Sequence, residues 1–120
     1  MTNTLVPVVS FEPVKYVACA LPTRHPDYAD YVIRVVFRPR HGQWEVFHAG
    51  PRGEGGHGGK YLNAGGKWCS PDEHHWWSRD DHHFDLDTAR ALAMDAALTV
   101  TVHDRTAADV LAADKSAVVR

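Results

Sequence analysis

The sequence predicts an α+β fold: an antiparallel sheet of about four to five strands, with two C-terminal helices and one short helical turn packed on one face. Three observations predict it. Tyr31 to Arg38 alternates strictly, with Tyr31, Ile33, Val35 and Phe37 on one side and Val32, Arg34, Val36 and Arg38 on the other, the period of a half-exposed strand. Helical spacing and capping residues are confined to the second half of the chain. Strands bunched first and helices later favour α+β over a doubly wound parallel sheet.

Taken in order, Val14 to Leu21 is rich in β-formers and bounded by Pro13 and Pro22. Tyr31–Arg38 turns at Pro39-Arg40-His41-Gly42 and returns as Gln43 to His48, with Trp44, Val46 and His48 on one side, an antiparallel hairpin. A shorter hairpin joins Tyr61-Leu62-Asn63 to Lys67-Trp68-Cys69 through Ala64-Gly65-Gly66. Ser70-Pro71-Asp72-Glu73 has the residues of a capping box and predicts a helical turn through Trp77. Asp85 caps a helix from Leu86 to about Ala97, on which Leu86, Ala89, Leu92, Ala93 and Ala96 share a face. Leu98 to His103 switches to β-branched alternation and predicts a strand. Thr106, three before Asp109, caps a last helix through about Asp114.

At 120 residues the chain suits a single domain spanning 1–120, large enough to bury a core without staples. Its biased segment, 49–60, holds six glycines and is expected to be a flexible loop. A formal charge of −2 excludes a strongly basic nucleic-acid binder and an acidic nucleic-acid mimic. The charge is uneven, however. Residues 34–60 hold five basic side chains against Glu45 and Glu54, a net of +3, whereas residues 72–95 hold seven acids against Arg79 and Arg90, a net of −5. No apolar run approaches the roughly 20 residues of a membrane span. Met1 to Ser10 lacks a basic n-region and carries Pro7, so no export signal is expected. Cys19 and Cys69 are then expected as reduced thiols in a cytoplasmic protein.

Candidate chemistry concentrates where the histidines do: seven of the nine lie between His41 and His83. Cys69, His74, His75, His82 and His83 are donors of the kind that bind zinc or another divalent transition metal. Their spacing matches no finger or ribbon. His82-His83 resembles the strand-end pair of ββα-metal nucleases, but the helix after it has no His or Asn to complete that site. The glycine-rich segment fails as a phosphate loop, because Glu54 stands where a Walker A pattern ending at Gly59-Lys60 needs glycine, and Tyr61 where it needs Ser or Thr. No serine sits in a nucleophile elbow, and a non-enzymatic role is expected.

Two binding surfaces remain. Arg34, Arg38 and Arg40, with Tyr61, Trp44 and Trp68 near them, suggest a basic aromatic sheet face for single-stranded nucleic acid. Three of the four tryptophans fall within ten residues, and Trp76 and Trp77, adjacent on one turn, cannot both face one core. With Arg52, His57 and Lys60 of the glycine-rich segment they form the expected surface for a protein partner. Nucleic acid is the alternative partner, homo-oligomerisation is open, and no membrane contact is expected.

The run Trp68-Cys69, Trp76-Trp77 and Phe84-Asp-Leu86-Asp-Thr-Ala89, followed by Val100-Thr-Val102-His-Asp-Arg105-Thr106, resembles the small accessory proteins abundant in actinobacterial phage genomes. The resemblance covers about the last half of the chain. It implies a protein made in the host cytoplasm that engages a host factor, and no particular chemistry.

Overall fold

A computed structural model describes residues 12–48, 50, 59–70 and 82–118. Five strands form one antiparallel sheet in sequence order: β1 (Lys15–Ala18), β2 (Ile33–Arg38), β3 (Gln43–His48), β4 (Tyr61–Leu62) and β5 (Trp68–Cys69). Two helices follow, α1 (Leu86–Thr99) and α2 (Ala107–Val118). The predicted α+β architecture is therefore present. The helical turn predicted after its Ser70 cap, through Trp77, lies outside the described residues, and so does most of the predicted loop at 49–60. A 3-10 turn that periodicity did not reveal spans Tyr28–Tyr31.

The β2–β3 hairpin is the centre of the sheet. Val35 stands opposite Val46 and Ile33 opposite His48, and residues directly opposite share a face. That face is the core face. Ile33, Val35 and Val46 are fully buried there, each contributing about 1.5–3 kcal/mol of transfer free energy. At Gly42, where φ is +62°, the turn needs a left-handed residue, and glycine supplies it without steric cost. The helix packs on the sheet through Ala89, Ala93, Ala96 and Ala97, all buried. These small side chains bring the helix backbone close to the strands.

Both helices begin as the capping residues predict. Asp85 Oδ1 accepts from Thr88 N–H at 2.7 Å. Before α2, Thr106 N–H donates to Asp109 Oδ2 (2.9 Å) while Asp109 N–H donates to Thr106 Oγ1 (3.2 Å), a reciprocal box. The strand predicted over Leu98–His103 is absent. Helix α1 runs on to Thr99, and Val100 N–H still bonds Ala96 O. Val102 and Arg105 then exchange backbone bonds across His103 and Asp104, both at positive φ (52° and 63°). Val100 and Val102 are buried because this tight turn tucks them into the core beside Val110. Their alternation reports burial on one side of a turn and no neighbouring strand.

Side-chain bonds tie the 25–31 segment to α2, to the turn before it and to β3. Tyr31 O–H, in a buried side chain, donates to Arg105 O at 2.8 Å; burial raises its pKa above the ordinary tyrosine value. Asp27 N–H donates to His25 Nδ1, which leaves the ring proton on Nε2, and that proton is donated to Asp114 Oδ2 at 2.6 Å. His48, fully buried, donates from Nε2 to Asp30 O at 2.7 Å.

Candidate functional site

The sheet's second face carries the polar chemistry. Register places Val17, Arg34, Phe47, Tyr61 and Cys69 in one row across the five strands. Lys15, Val36 and Glu45 form the next row. Trp44 and Phe84 exchange both backbone bonds (2.8 and 2.9 Å) along the edge of β3 that faces away from β2. That pairing sets His83 opposite Glu45 on the polar face.

Glu45 is the centre of this face. It is buried (4% exposed), and its Oε1 accepts from Arg38 Nε at 2.8 Å and lies 3.4 Å from His83 Nε2. Its second oxygen, Oε2, is buried with no hydrogen-bond partner among the described residues. Arg38 Nη2 also donates to the Tyr61 hydroxyl at 3.4 Å. The His83 ring stacks on His41 (centroids 4.1 Å apart, 30° between planes) and lies 4.1 Å from the ring of buried His82.

Burial lowers the pKa of His83 below 6.5, with His82 and His41 adding to the effect and the carboxylate of Glu45 opposing it. The protonated imidazole is thus less favoured in the folded chain than in the unfolded one. The contribution of His83 to stability is complete above pH 6.5 and falls as pH drops below 6.5, until the folded group is protonated too. Urea midpoints measured between pH 7.5 and 5.5 are expected to fall with at most about 1.4 kcal/mol of stability lost per pH unit, the limit for one proton. In His83→Gln that part of the slope should vanish. The caps act lower: backbone N–H bonds hold Asp85 and Asp109 below the usual carboxylate value of 3.8, so their contribution persists above it and is lost as pH falls further.

Of the three arginines read as a nucleic-acid surface, Arg34 and Arg38 share this face, and Arg40 lies in the β2–β3 turn. Arg38 is neutralised by Glu45. Arg34 Nε is buried with no partner among the described residues, opposite Phe47, whose ring lies 5.4 Å from that of Tyr61. Trp44 and Trp68, expected near these arginines, belong to the opposite, core face, because Trp44 stands across from Phe37 and Trp68 across from Leu62.

Of the metal-ligand candidates, Cys69 is buried, with Sγ 3.6 Å from Asn63 Nδ2 and 3.9 Å from Lys67 O. His82 and His83 lie side by side, and His74 and His75 fall outside the described residues. Among the described residues no group of three His, Cys, Asp or Glu side chains could hold a metal ion. The other thiol, Cys19, donates to Tyr28 O at 3.7 Å, and burial raises its pKa, which makes it a poor nucleophile at neutral pH. Of the expected partner surface, Lys60 is half-buried and its carbonyl accepts from His48 N–H at 3.0 Å. Trp76, Trp77, Arg52 and His57 lie outside the described residues.

A second surface was not foreseen. The exposed large apolar side chains among the described residues are Val14, Val17, Met94, Leu98 and Leu111. The first four belong to two elements: β1 with its N-terminal extension, and α1. Between these elements runs a groove of about 190 Å³ lined by Tyr16, Val17, Ala18, Val35, Arg90, Ala93 and Met94. Arg90 is the single charged residue of that lining, with its guanidinium carbon 6.0 Å from the centre of the Tyr16 ring. Met94 and Leu98 sit one turn apart on the helix, a spacing that marks one stripe. Leu98 was hidden by its assignment to a strand.

Among the described residues no helix is long and apolar enough to cross a membrane. Comparison with known proteins brought no match: no family model, no curated protein and no solved structure matches the chain.

Proposed function

We propose that this chain is a non-enzymatic interaction protein that binds a protein partner. One observation carries the reading. Of the exposed apolar residues, Val17 and Met94 (48 and 66% exposed) line one groove between the edge strand and α1, and Val14 and Leu98 (57 and 67%) lie further along the same two elements. Single exposed apolar residues are ordinary, whereas several gathered on two adjoining elements with a groove between them mark an interaction site.

The polar face supports a second reading, single-stranded nucleic acid. Arg34, whose Nε has no partner among the described residues, lies beside the Phe47–Tyr61 ring pair and combines a cation with a stacking surface. The metal alternative draws on His74 or His75 together with the described candidates, and metal content of untagged protein tests it directly.

One co-purification separates the first two readings. Nuclease-treated and untreated lysates of the source cell are passed over wild-type chain, over Met94→Glu/Leu98→Glu and over Arg34→Glu. Both substituted helix positions are mostly exposed, so the double variant is expected to melt within a few degrees of wild type. The protein-binding reading expects a stoichiometric partner that resists nuclease and disappears with the double variant. Identical capture by wild type and the double variant would refute it. Capture lost with nuclease and with Arg34→Glu would favour nucleic acid.

A further inference from the structure

We infer that β1 and α1 together form a strand-acceptor groove, which takes an extended, acidic segment of a partner protein as a sixth strand of the sheet. The inference rests on the protein-binding reading above and names the partner's chemistry.

The backbone of β1 sets the geometry. Phe37 N–H donates to Val14 O at 2.9 Å, with the β1–β2 register running from Lys15 opposite Val36 to Ala18 opposite Ile33. Hydrogen-bonded and non-bonded positions alternate in an antiparallel pair. Val14, Tyr16 and Ala18 therefore turn their backbone groups toward β2. Lys15 and Val17 turn theirs outward, and β1 is the edge strand of the five. An edge whose outward N–H and C=O groups pair with no strand among the described residues, beside an apolar groove, is the arrangement that strand addition uses. The backbone ladder supplies affinity, and alternate side chains enter the groove.

The size and charge of the groove select the occupant. About 190 Å³ is below the usual range of small-molecule pockets, roughly 300–1,000 Å³, and suits a side chain on a docked strand. The lining is apolar apart from Arg90, so the segment presents an apolar residue toward Met94 and Ala93 and a carboxylate toward Arg90. A second copy of this chain is a poorer occupant. An isologous contact about a two-fold axis on β1 places each patch against itself. With Tyr16 opposite Tyr16, the two Arg90 guanidinium groups, each over the Tyr16 ring of its own chain, would then approach one another.

The test uses the full chain and a random nonapeptide library displayed on phage. Enriched peptides are resynthesised with a fluorophore and titrated by anisotropy. Val17→Pro removes one outward N–H and leaves the β1–β2 bonds in place, a position where edge strands tolerate proline. The enriched peptides should be β-prone and carry an acidic residue. Their affinity should fall at least tenfold on Val17→Pro and about as much on Arg90→Glu, with Arg90→Glu rescued when the peptide's acid is changed to lysine. Methylating alternate backbone nitrogens of the peptide gives the same reading without altering the protein, so the test stands even where Val17→Pro fails to fold. Loss of affinity should follow one alternation of methyl groups and spare the other.

Peptides that bind Val17→Pro as well as wild type, and tolerate both methylation patterns, would overturn strand addition. If they still require Met94 and Leu98, the protein-binding reading survives. A library that yields no binder overturns the strand-acceptor inference, and the co-purification then decides the broader reading separately. A dimer in light scattering that Val17→Pro dissociates would replace the partner segment with a second copy.

Discussion

Gly50→Ala is expected to destabilise the chain by about 2–4 kcal/mol, the cost of overpacking combined with disturbing a buried polar contact. A chain of this length should then lose roughly 10 °C of melting temperature. A Cβ built on Gly50 would collide with the carbonyl oxygen of Asp30 and stand 2.6 Å from His48 Nε2. Those two atoms form the 2.7 Å hydrogen bond that holds Nε2 of the fully buried His48 ring. Neither can move cheaply: one is backbone, and the other belongs to an imidazole seated on the core face opposite Ile33. The same substitution elsewhere provides the scale. At Gly42 there is open space but φ is +62°, so Gly42→Ala should cost only the left-handed penalty of about 1–2 kcal/mol. At Gly65 the nearest atom is Asn63 Oδ1 at 3.3 Å, and alanine should be near neutral. Thermal melts of the three variants check the ranking. Equal, small losses would mean that the Asp30–His48 contact does not constrain position 50.

Gly50 also shows where sequence reading stops. It heads a run of glycines and reads as the start of a loop, because the atoms that exclude a side chain there come from residues 30 and 48. What was legible is what local chemistry decides. The alternation of Ile33–Arg38 and Gln43–His48 fixed which side of each strand is buried, and Asp85, Thr106 and Asp109 marked both helix starts. Val100 and Val102 misled because alternation of apolar residues reports one-sided burial, and a tight turn with two left-handed residues produces it as well as a strand does. Glu45 was hidden for a related reason. A charge between Trp44 and Val46 reads as solvent-facing, and only the pairing of Phe84 with Trp44, forty residues apart in sequence, brings His83 over it. The exposed stripe on α1 depends in turn on β1 being the last strand, a property of the sheet order.

Arg38→Met should cost about 2–3 kcal/mol at pH 7.5, while Glu45→Met at the other end of the same ion pair should cost little. The asymmetry follows from burial: the Arg38 side chain is 39% exposed and that of Glu45 only 6%. Removing the guanidinium strands a buried carboxylate, for which a penalty of about 3–5 kcal/mol is typical of a fully buried pair; the exposure of Arg38 reduces that figure. Removing Glu45 instead leaves a guanidinium with access to water, and it also eliminates the unpartnered Oε2 atom. Arg38→Met/Glu45→Met should therefore recover most of the loss, the sign expected when a desolvated pair is replaced by apolar groups of similar size. The pH dependence distinguishes charge from packing. Without Arg38 the stranded carboxylate draws a proton onto His83, whose Nε2 already lies 3.4 Å away, so the penalty of Arg38→Met should shrink between pH 7.5 and 5.5. Urea midpoints for the four proteins at both pH values provide the test. A cost for Arg38→Met that is independent of pH and unrelieved by Glu45→Met would assign the role of Arg38 to its aliphatic stem packed along the sheet, and not to its charge.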